Sequence, residues 1–317
     1  MCFACQGTRI GRRLNNLALH LGIRYKHLGR VEDLDEAILL DRQALALRPP
    51  GHPDRSSTLT NLAIHVSTRY NRLGREEDLD EAILLNRQAL ALFPPGHPNR
   101  STSLNNLAVH LSVRYNLLGG VEDLEEAILL DKEALTLRPP GHPDRSSSLT
   151  NLASRLSTRY NLLRQVEDID QAILLAKDAL ALFPPGHPDR STSLNNLAVH
   201  LSTRYSLLGG AEDLEQAILL DREVLTLRPP GHPDRSSSLT NLATRLCARY
   251  DLFGGVEDIN QAILFGREAL QLFPPGHPDR SIPLNNLAIH LSARYKLVWD
   301  CRLSLYRPLL TFFISLN

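Results

Sequence analysis

Asparagine recurs along the chain every 45 residues. It stands seven times directly before a Leu-Ala pair, at Asn16, Asn61, Asn106, Asn151, Asn196, Asn241 and Asn286. A carboxamide both donates and accepts hydrogen bonds, so a row of carboxamides can pair with successive main-chain groups of an extended peptide without requiring particular side chains. The alternative is that each asparagine bonds only to the adjacent helix. The row is therefore a candidate peptide-binding site.

Histidine follows four residues later in five of the seven copies, at His20, His65, His110, His200 and His290, and arginine replaces it in the other two. Asn61, His65 and Arg69 are spaced by four residues and so share one side of a helix. If that side lines a groove, it favours peptides that carry Asp, Glu or phosphate, through charge-assisted hydrogen bonds. For the arginines we favour a structural alternative, in which the Tyr of each Arg-Tyr pair fills the core and the Arg pairs with the following Glu-Asp turn.

Two further sets of residues are of types that bind metals, but their spacing argues against a metal site. Six histidines stand between Gly and Pro, at His52, His97, His142, His187, His232 and His277. Copies on successive repeats do not converge, and no Cys or carboxylate joins them in a ligand pattern, so we expect them to cap or pack the turn. Cys2 and Cys5 have the spacing of half a zinc site with no second half. We expect no metal and no cofactor.

Catalytic motifs are missing from the sequence. It contains no Gly-rich phosphate loop after a strand, no Gly-x-Ser-x-Gly turn and no metalloprotease helix motif. A catalytic site needs unlike residues that converge, whereas this chain repeats like residues in rows. We predict that the protein is not an enzyme.

The elements that position these rows are predicted from repetition. Pro-Pro-Gly-His-Pro recurs with the same 45-residue period, which indicates stacked supersecondary units. Each unit carries two apolar stripes at helical spacing, here named helix A and helix B. In residues 53–97, Pro53 and Gly74 bound helix A, an Asp78/Glu81 capping box predicts the start of helix B, and a Pro-Pro pair ends it.

Such hairpins cannot cover their apolar residues alone, so we predict an all-α, right-handed superhelical solenoid. Residues 11–297 hold six full repeats and a final helix A, preceded by an extension over 1–10 and followed by a divergent apolar tail over 298–317. A second alternation has a 90-residue period: Arg48, Arg138 and Arg228 precede Pro-Pro in one class of repeat, and Phe93, Phe183 and Phe273 do so in the other.

Two residues depart from the repeat. Val224 replaces the second alanine of one helix B and is expected to crowd a contact. Pro283 lies near the start of the last helix A and is expected to delay that helix.

The chain resembles a tetratricopeptide-repeat array. Such repeats carry an apolar residue, then Leu and a small residue in helix A, two alanines seven apart in helix B, and a closing proline five later. Leu59, Leu62-Ala63, Ala82, Ala89 and Pro94 follow this order. The period exceeds the usual ~34 residues and is similar to the long form of kinesin light chains. The Arg-Tyr, Glu-Asp-Leu and Ala-Ile pattern is similar to fungal arrays attached to caspase-like CHAT domains.

The resemblance implies a non-enzymatic scaffold that binds a protein or peptide partner, with the asparagine row forming a ladder in a concave groove. Two alternatives stay open. The chain is the sensor arm of a CHAT peptidase system separated from its catalytic domain, or it associates end to end through an open stacking face.

Charge and composition exclude other classes of partner. The chain has 35 basic and 35 acidic residues and a formal net charge of 0, so it offers no global field for nucleic acid or an anionic membrane. The N-terminus lacks a secretory signal, and the apolar run over 309–316 is far shorter than a membrane span. With four cysteines and no disulfide framework, we expect a cytoplasmic protein.

Overall fold

A computed structural model describes residues 3–296, which form α-helices joined by short loops. The helices are α1 (Phe3–Leu28), α2 (Val31–Ala46), α3 (Arg55–Leu73), α4 (Glu76–Ala91), α5 (Arg100–Leu118), α6 (Val121–Thr136), α7 (Arg145–Leu163), α8 (Val166–Ala181), α9 (Arg190–Leu208), α10 (Ala211–Leu227), α11 (Arg235–Phe253) and α12 (Val256–Gln271). A final helix, α13, covers residues 281–296. Odd-numbered helices are the predicted A helices and even-numbered helices are the B helices.

The chain divides into two compact units, Met1–Leu163 and Arg164–Asn317. In the first unit, α1, α3 and α5 each pair with the following B helix, and each B helix also packs on the next A helix. In the second unit the same two kinds of contact join α8 to α9, α9 to α10, α10 to α11 and α11 to α12. The predicted all-α array of stacked hairpins is confirmed, and its superhelical handedness stays a prediction.

The core of each unit lies between helices of successive hairpins. Leu59, Leu62 and Val66 of α3 are almost fully buried against Ala82 of α4 and Ile38 of α2. The alanines at the predicted close contacts have no exposed surface in most repeats, as at Ala63 and Ala82. Because their side chains are small, the helix axes can approach closely, and the periodic leucines then fill the remaining space.

The A helices end where glycine was predicted to stop them. Gly74 has a φ of 68°, and its N–H donates to the carbonyl oxygen of Tyr70 at 2.7 Å. A residue with a side chain is strained in this left-handed conformation, so glycine favours the end of the helix there. Arg164 occupies the corresponding place after α7 with a φ of 60°.

The predicted capping box at the start of the B helices is wrong. Helix α4 begins at Glu76 with Arg75 as N-cap, and no side chain caps it. Asp78 lies within the first turn, and its carboxylate accepts hydrogen bonds from Arg69. The acidic residue therefore marks the first turn, where it suits the helix dipole, but the helix starts ahead of it.

Other features noted in the sequence can be placed in the structure. Helix α1 already begins at Phe3, inside the segment 1–10 that was predicted as an extension. Near Pro283, a 3-10 turn over Pro278–Arg280 precedes α13, which starts one residue later than its counterparts, as expected for the delayed helix. Val224 is fully buried in α10.

Cys2 and the tail 298–317 lie outside the described residues. Within 3–296, none of the helices has the length and apolar character needed to cross a membrane.

Candidate functional site

One side of each A helix is open and carries no charge in most of the array. We name it the A face and define it by the positions of Ser57, Thr60, Asn61, Ile64 and Thr68 in α3. All five are exposed or half-buried. The equivalent positions of α5, α7, α9, α11 and α13 carry only Ser, Thr, Asn, Ala, Val or Ile, whereas Arg12 introduces a charge in α1. This face offers hydroxyl and amide groups around an aliphatic centre.

The predicted asparagine row lies on the A face. Asn16 is exposed and the other six asparagines are half-buried. Two of them bond across to the preceding A helix: the Nδ2 of Asn151 donates to the Oδ1 of Asn105 at 2.9 Å, and Asn241 donates to Asn195 at 3.1 Å. Such a bond uses one of the four hydrogen-bonding positions of the carboxamide, so each amide retains capacity for a further partner.

The histidine row is mostly interior, which corrects the prediction that it lines the groove. His65, His110, His200 and His290 are at most 8% exposed, because a B helix of the preceding repeat packs against this side of the A helix. His20 of α1 is exposed. A peptide on the A face therefore cannot contact the four buried histidines in this arrangement.

Four of the six equivalent positions, two histidines and two arginines, form polar pairs with the preceding B helix, 24 residues earlier in the chain. The Nδ1 of His65 lies 2.8 Å from the Oδ2 of Asp41, and the Nδ2 of Asn86 donates to the Nδ1 of His110 at 2.8 Å. Equivalent contacts join Arg155 to Asp131 and Arg245 to Asp221. The spacing of residues within helix A did not predict this layer. Its signal is a polar residue inside the apolar stripe of helix B, matched by one 24 residues later.

Burial sets the charge of this layer. It lowers the pKa of the His110 and His200 imidazoles to about 4 each and also lowers the pKa of His290. It raises the pKa of Asp41, against the opposing effect of the bond from His65. His110 and His200 are therefore neutral at pH 7, and the predicted cationic edge is not formed there.

The arginines of the Arg-Tyr pairs join helices, as the structural alternative predicted. Arg114 donates from Nε and Nη2 to the two oxygens of Asp123 at 2.7 and 2.8 Å, and from Nη1 to Asp80 of the preceding repeat at 2.9 Å. Arg69, Arg204 and Arg249 repeat this geometry. Their charges are thus used inside the array. The tyrosines range from Tyr160, 1% exposed, to Tyr295, 66% exposed.

The loop histidines act in the turns, as expected. The Nδ1 of His97 accepts the backbone N–H of Asn99 at 3.1 Å, and the same bond recurs at His52, His142, His187, His232 and His277. His97 also lies 4.5 Å from Phe93 between ring centroids. Within residues 3–296, no group of three or more His, Cys, Asp or Glu could hold a metal ion.

Depressions open on the A face beside two of the phenylalanines that precede Pro-Pro. In the first unit, a depression of about 160 Å³ is lined by Phe93 with Ser57, Thr60, Asn61, Asn99, Thr102 and Ser103. In the second unit, a depression of about 440 Å³ beside Phe273 is lined by residues equivalent to all seven, among them Thr240, Asn241, Asp279 and Pro283. The A face therefore has recurring recesses that a side chain could enter.

Comparisons with known proteins bear on the fold. Neither the family models nor the curated proteins give a match to this chain. Among solved structures, Pseudomonas aeruginosa pilF is 20% identical over 86% of this chain and 96% of its own, with a TM-score of 0.53. The assembly chaperone of RpL4 (Acl4) is 18% identical over 90% and 99%, with a TM-score of 0.53.

A Podosopora anserina putative kinesin light chain with nearly identical TPR-like repeats is also similar. A variant form of that protein is 22% identical over 69% of this chain and 98% of its own, with a TM-score of 0.50. The association with CHAT domains stays a prediction. With its paired helices, its small residues at the helix contacts and these neighbours, the chain has the fold of a tetratricopeptide-repeat array.

Proposed function

We propose that the protein is a non-enzymatic scaffold whose A face binds an extended peptide segment of a partner protein, chiefly through the peptide main chain. The observation that carries this proposal is the row of asparagines with neighbouring hydroxyls on an open, uncharged face. Amides and hydroxyls can satisfy both the N–H and the C=O groups of a bound strand. Asn61 and its equivalents supply these contacts, and the exposed His20 stays a predicted contact at the first repeat.

The proposal differs from the sequence prediction in its charge preference. Preference for acidic or phosphorylated peptides required histidines and arginines on the groove. Four of the five histidines are buried, and arginines such as Arg69 and Arg114 are held by aspartates. From α3 onward the A face carries no free cation, so the reason for an acidic partner is removed there, and main-chain recognition remains as the basis of binding.

The test compares two sets of asparagines in the same three helices. Asn61→Ala, Asn106→Ala and Asn151→Ala together remove amides from the A face of α3, α5 and α7. As the matched control, Asn71→Ala, Asn116→Ala and Asn161→Ala remove exposed amides from the C-terminal ends of those helices. Peptides are selected on a synthetic random-sequence array with the wild-type chain, and their affinities are measured by fluorescence polarisation.

We expect the A-face set to weaken binding at least tenfold, because each lost amide removes a main-chain contact worth about 0.5–1.5 kcal/mol. The control set should bind within about twofold of wild type, and circular dichroism should show the same helicity for all three proteins. Equal weakening by both sets, or unchanged binding by the A-face set, would contradict the proposal.

A further inference from the structure

We propose that the depressions beside Phe93 and Phe273 are binding sites for an arginine side chain of the partner peptide. The proposal rests on the proposed function, since it assigns one side chain of the peptide that the A face binds. The basis is the alternation of the two classes of repeat. One class has an arginine before Pro-Pro at the position where the other class has a phenylalanine.

In the arginine class, the guanidinium of Arg48 is buried between successive repeats. Its Nη1 donates to the Oδ1 of Asn15 at 2.8 Å, to the hydroxyl of Thr58, and to the carbonyl oxygen of Asp54 at 3.3 Å. The carboxylate of Asp54 lies 3.8 Å from Nη2. Arg48 as a residue is only 3% exposed. This place in the fold therefore supplies hydrogen-bond acceptors and a carboxylate to a planar cation.

The other arginine-class repeats show that this arrangement recurs. Arg138 donates to the hydroxyl of Ser148 at 2.8 Å and to the carbonyl oxygen of Asp144 at 3.2 Å. Arg228 donates to the hydroxyl of Ser238 at 2.9 Å, and its Nη2 lies 3.8 Å from Asp234. The same acceptors thus hold a guanidinium in both units.

In the phenylalanine class, mostly polar residues stand at the equivalents of these acceptors, but the chain's own guanidinium is replaced. Forty-five residues on from Arg48, Asn15, Thr58 and Asp54 stand Phe93, Thr60, Ser103 and Asn99. All four of these residues line the depression of about 160 Å³. Phe93 is 5% exposed and Ser103 is 1% exposed, so only their edges border the depression, whereas Thr60 is half-buried and Asn99 is exposed. A guanidinium that entered it could bond to the hydroxyl of Thr60 and the amide oxygen of Asn99, with the exposed edge of Phe93 beside it.

The two depressions differ in ways that predict different strengths. At Phe273, Asp279 takes the place of Asp54, so the site keeps a carboxylate, and the recess is larger at about 440 Å³. At Phe93 the equivalent residue is the neutral Asn99. Pro283 replaces the hydroxyl of Ser103 at the second site. A guanidinium forms an ion pair with a carboxylate but only an ion–dipole contact with a neutral amide, so the Phe273 site should bind arginine more tightly.

Two of the three neighbouring arginines are paired with glutamates, and the third is bonded to backbone carbonyl oxygens. Arg100 donates to the carbonyl oxygen of Phe93 at 2.7 Å and pairs with Glu133 at 2.7 Å. At the second site, Arg280 donates to the carbonyl oxygens of Leu270 and Phe273. Arg235 pairs with Glu268 at 2.7 Å.

The test uses four synthetic probes of the form acetyl-Gly-Ser-Gly-X-Gly-Ser-Gly-amide, with arginine, citrulline, glutamate or alanine at X. Citrulline has nearly the shape of arginine without its charge. Affinities are measured by saturation-transfer NMR with the full chain. We expect the arginine probe to bind at least fivefold more tightly than the citrulline probe, and the glutamate probe to bind no better than the alanine probe.

Two variants use the chain's own alternation. Phe93→Arg, Phe183→Arg and Phe273→Arg together convert the phenylalanine class into the arginine class, which the fold already accommodates at Arg48. This variant should lose the arginine preference but bind the alanine probe as wild type does. In the opposite direction, Arg138→Phe should create a depression beside Ser148 and add one arginine site. A third variant, Asn99→Asp, should strengthen binding at the Phe93 site.

The outcomes separate the two proposals. If the alanine probe binds and the arginine probe binds no better than citrulline, arginine recognition is overturned while main-chain binding stands. If the arginine probe alone binds, the depressions are supported and main-chain binding fails. Failure of all four probes contradicts both. An arginine preference that survives the triple Phe→Arg variant in a normally helical protein places the site elsewhere and overturns the assignment.

Discussion

His20 and His65 stand in the same sequence context but in different environments. Both follow the A-face asparagine by four residues, yet His20 is exposed and His65 is 5% exposed beside Asp41. The apolar stripe of helix A predicts which side meets its own hairpin, but it does not show that the preceding B helix covers a second side. That contact becomes visible in the sequence only when residues 24 apart are compared, as with Asp41 and His65 or Asp131 and Arg155.

The buried His200 should make the stability of the protein depend on pH. Neither of its ring nitrogens has a hydrogen-bond partner among the described residues, and Ala176 stands at the position where four other repeats have Asp or Asn. Burial lowers its pKa in the folded protein to about 4, from 6.5. As the pH falls below about 6.5, the unfolded chain takes up a proton that the folded chain does not, so stability is lost progressively down to about pH 4.

His200→Leu should remove that loss. Between pH 7 and pH 5, the wild type should lose about 2 kcal/mol more of its unfolding free energy than the variant, because one pKa unit corresponds to about 1.4 kcal/mol. Urea denaturation at the two pH values measures the difference. His27→Leu, at an exposed position of α1, controls for the removal of an imidazole. An identical pH dependence in wild type and His200→Leu would show that His200 does not titrate in this way.

At the scale of the element, the ends of helix A were predictable and the starts of helix B were not. Glycine at Gly74, Gly119, Gly209 and Gly254 adopts the left-handed conformation that its missing side chain permits. The acidic residues near the start of helix B suggested a capping box, but Asp78 and Asp123 are bonded by arginines of helix A. A local signal failed there because the side chain is used in a tertiary contact.

Arg164 stands at the end of α7, at a position that favours glycine. It adopts a φ of 60°, the one positive φ at a non-glycine residue in the described chain, where five other A helices have glycine. We expect Arg164→Gly to stabilise the protein by about 1 kcal/mol, since a left-handed conformation strains a residue that has a Cβ. Gly119→Ala, at an equivalent position, should destabilise by a similar amount. Thermal unfolding of the three proteins decides the matter, and destabilisation by Arg164→Gly would contradict it.

At the scale of the whole chain, the 45-residue period predicted the fold because the same pair of apolar stripes recurs from repeat to repeat. The net charge of 0 predicted less, since it does not show where charges lie. Arginines such as Arg114 and Arg204 pair with aspartates within each unit, while the A face from α3 onward is neutral. The candidate asparagine row followed from the sequence. The depressions did not, because they depend on how Phe93 and Arg48 fill the same place differently.

Recognition of the peptide main chain is the central claim, and backbone methylation tests it most directly. One peptide selected on the array would be compared with a copy whose alternate backbone nitrogens are methylated, with all side chains unchanged. The measurement is the dissociation constant of each for the wild-type chain by fluorescence polarisation. We predict at least tenfold weaker binding of the methylated copy, since it loses the N–H groups that A-face amide oxygens would accept. Equal affinity of the two peptides would contradict main-chain recognition.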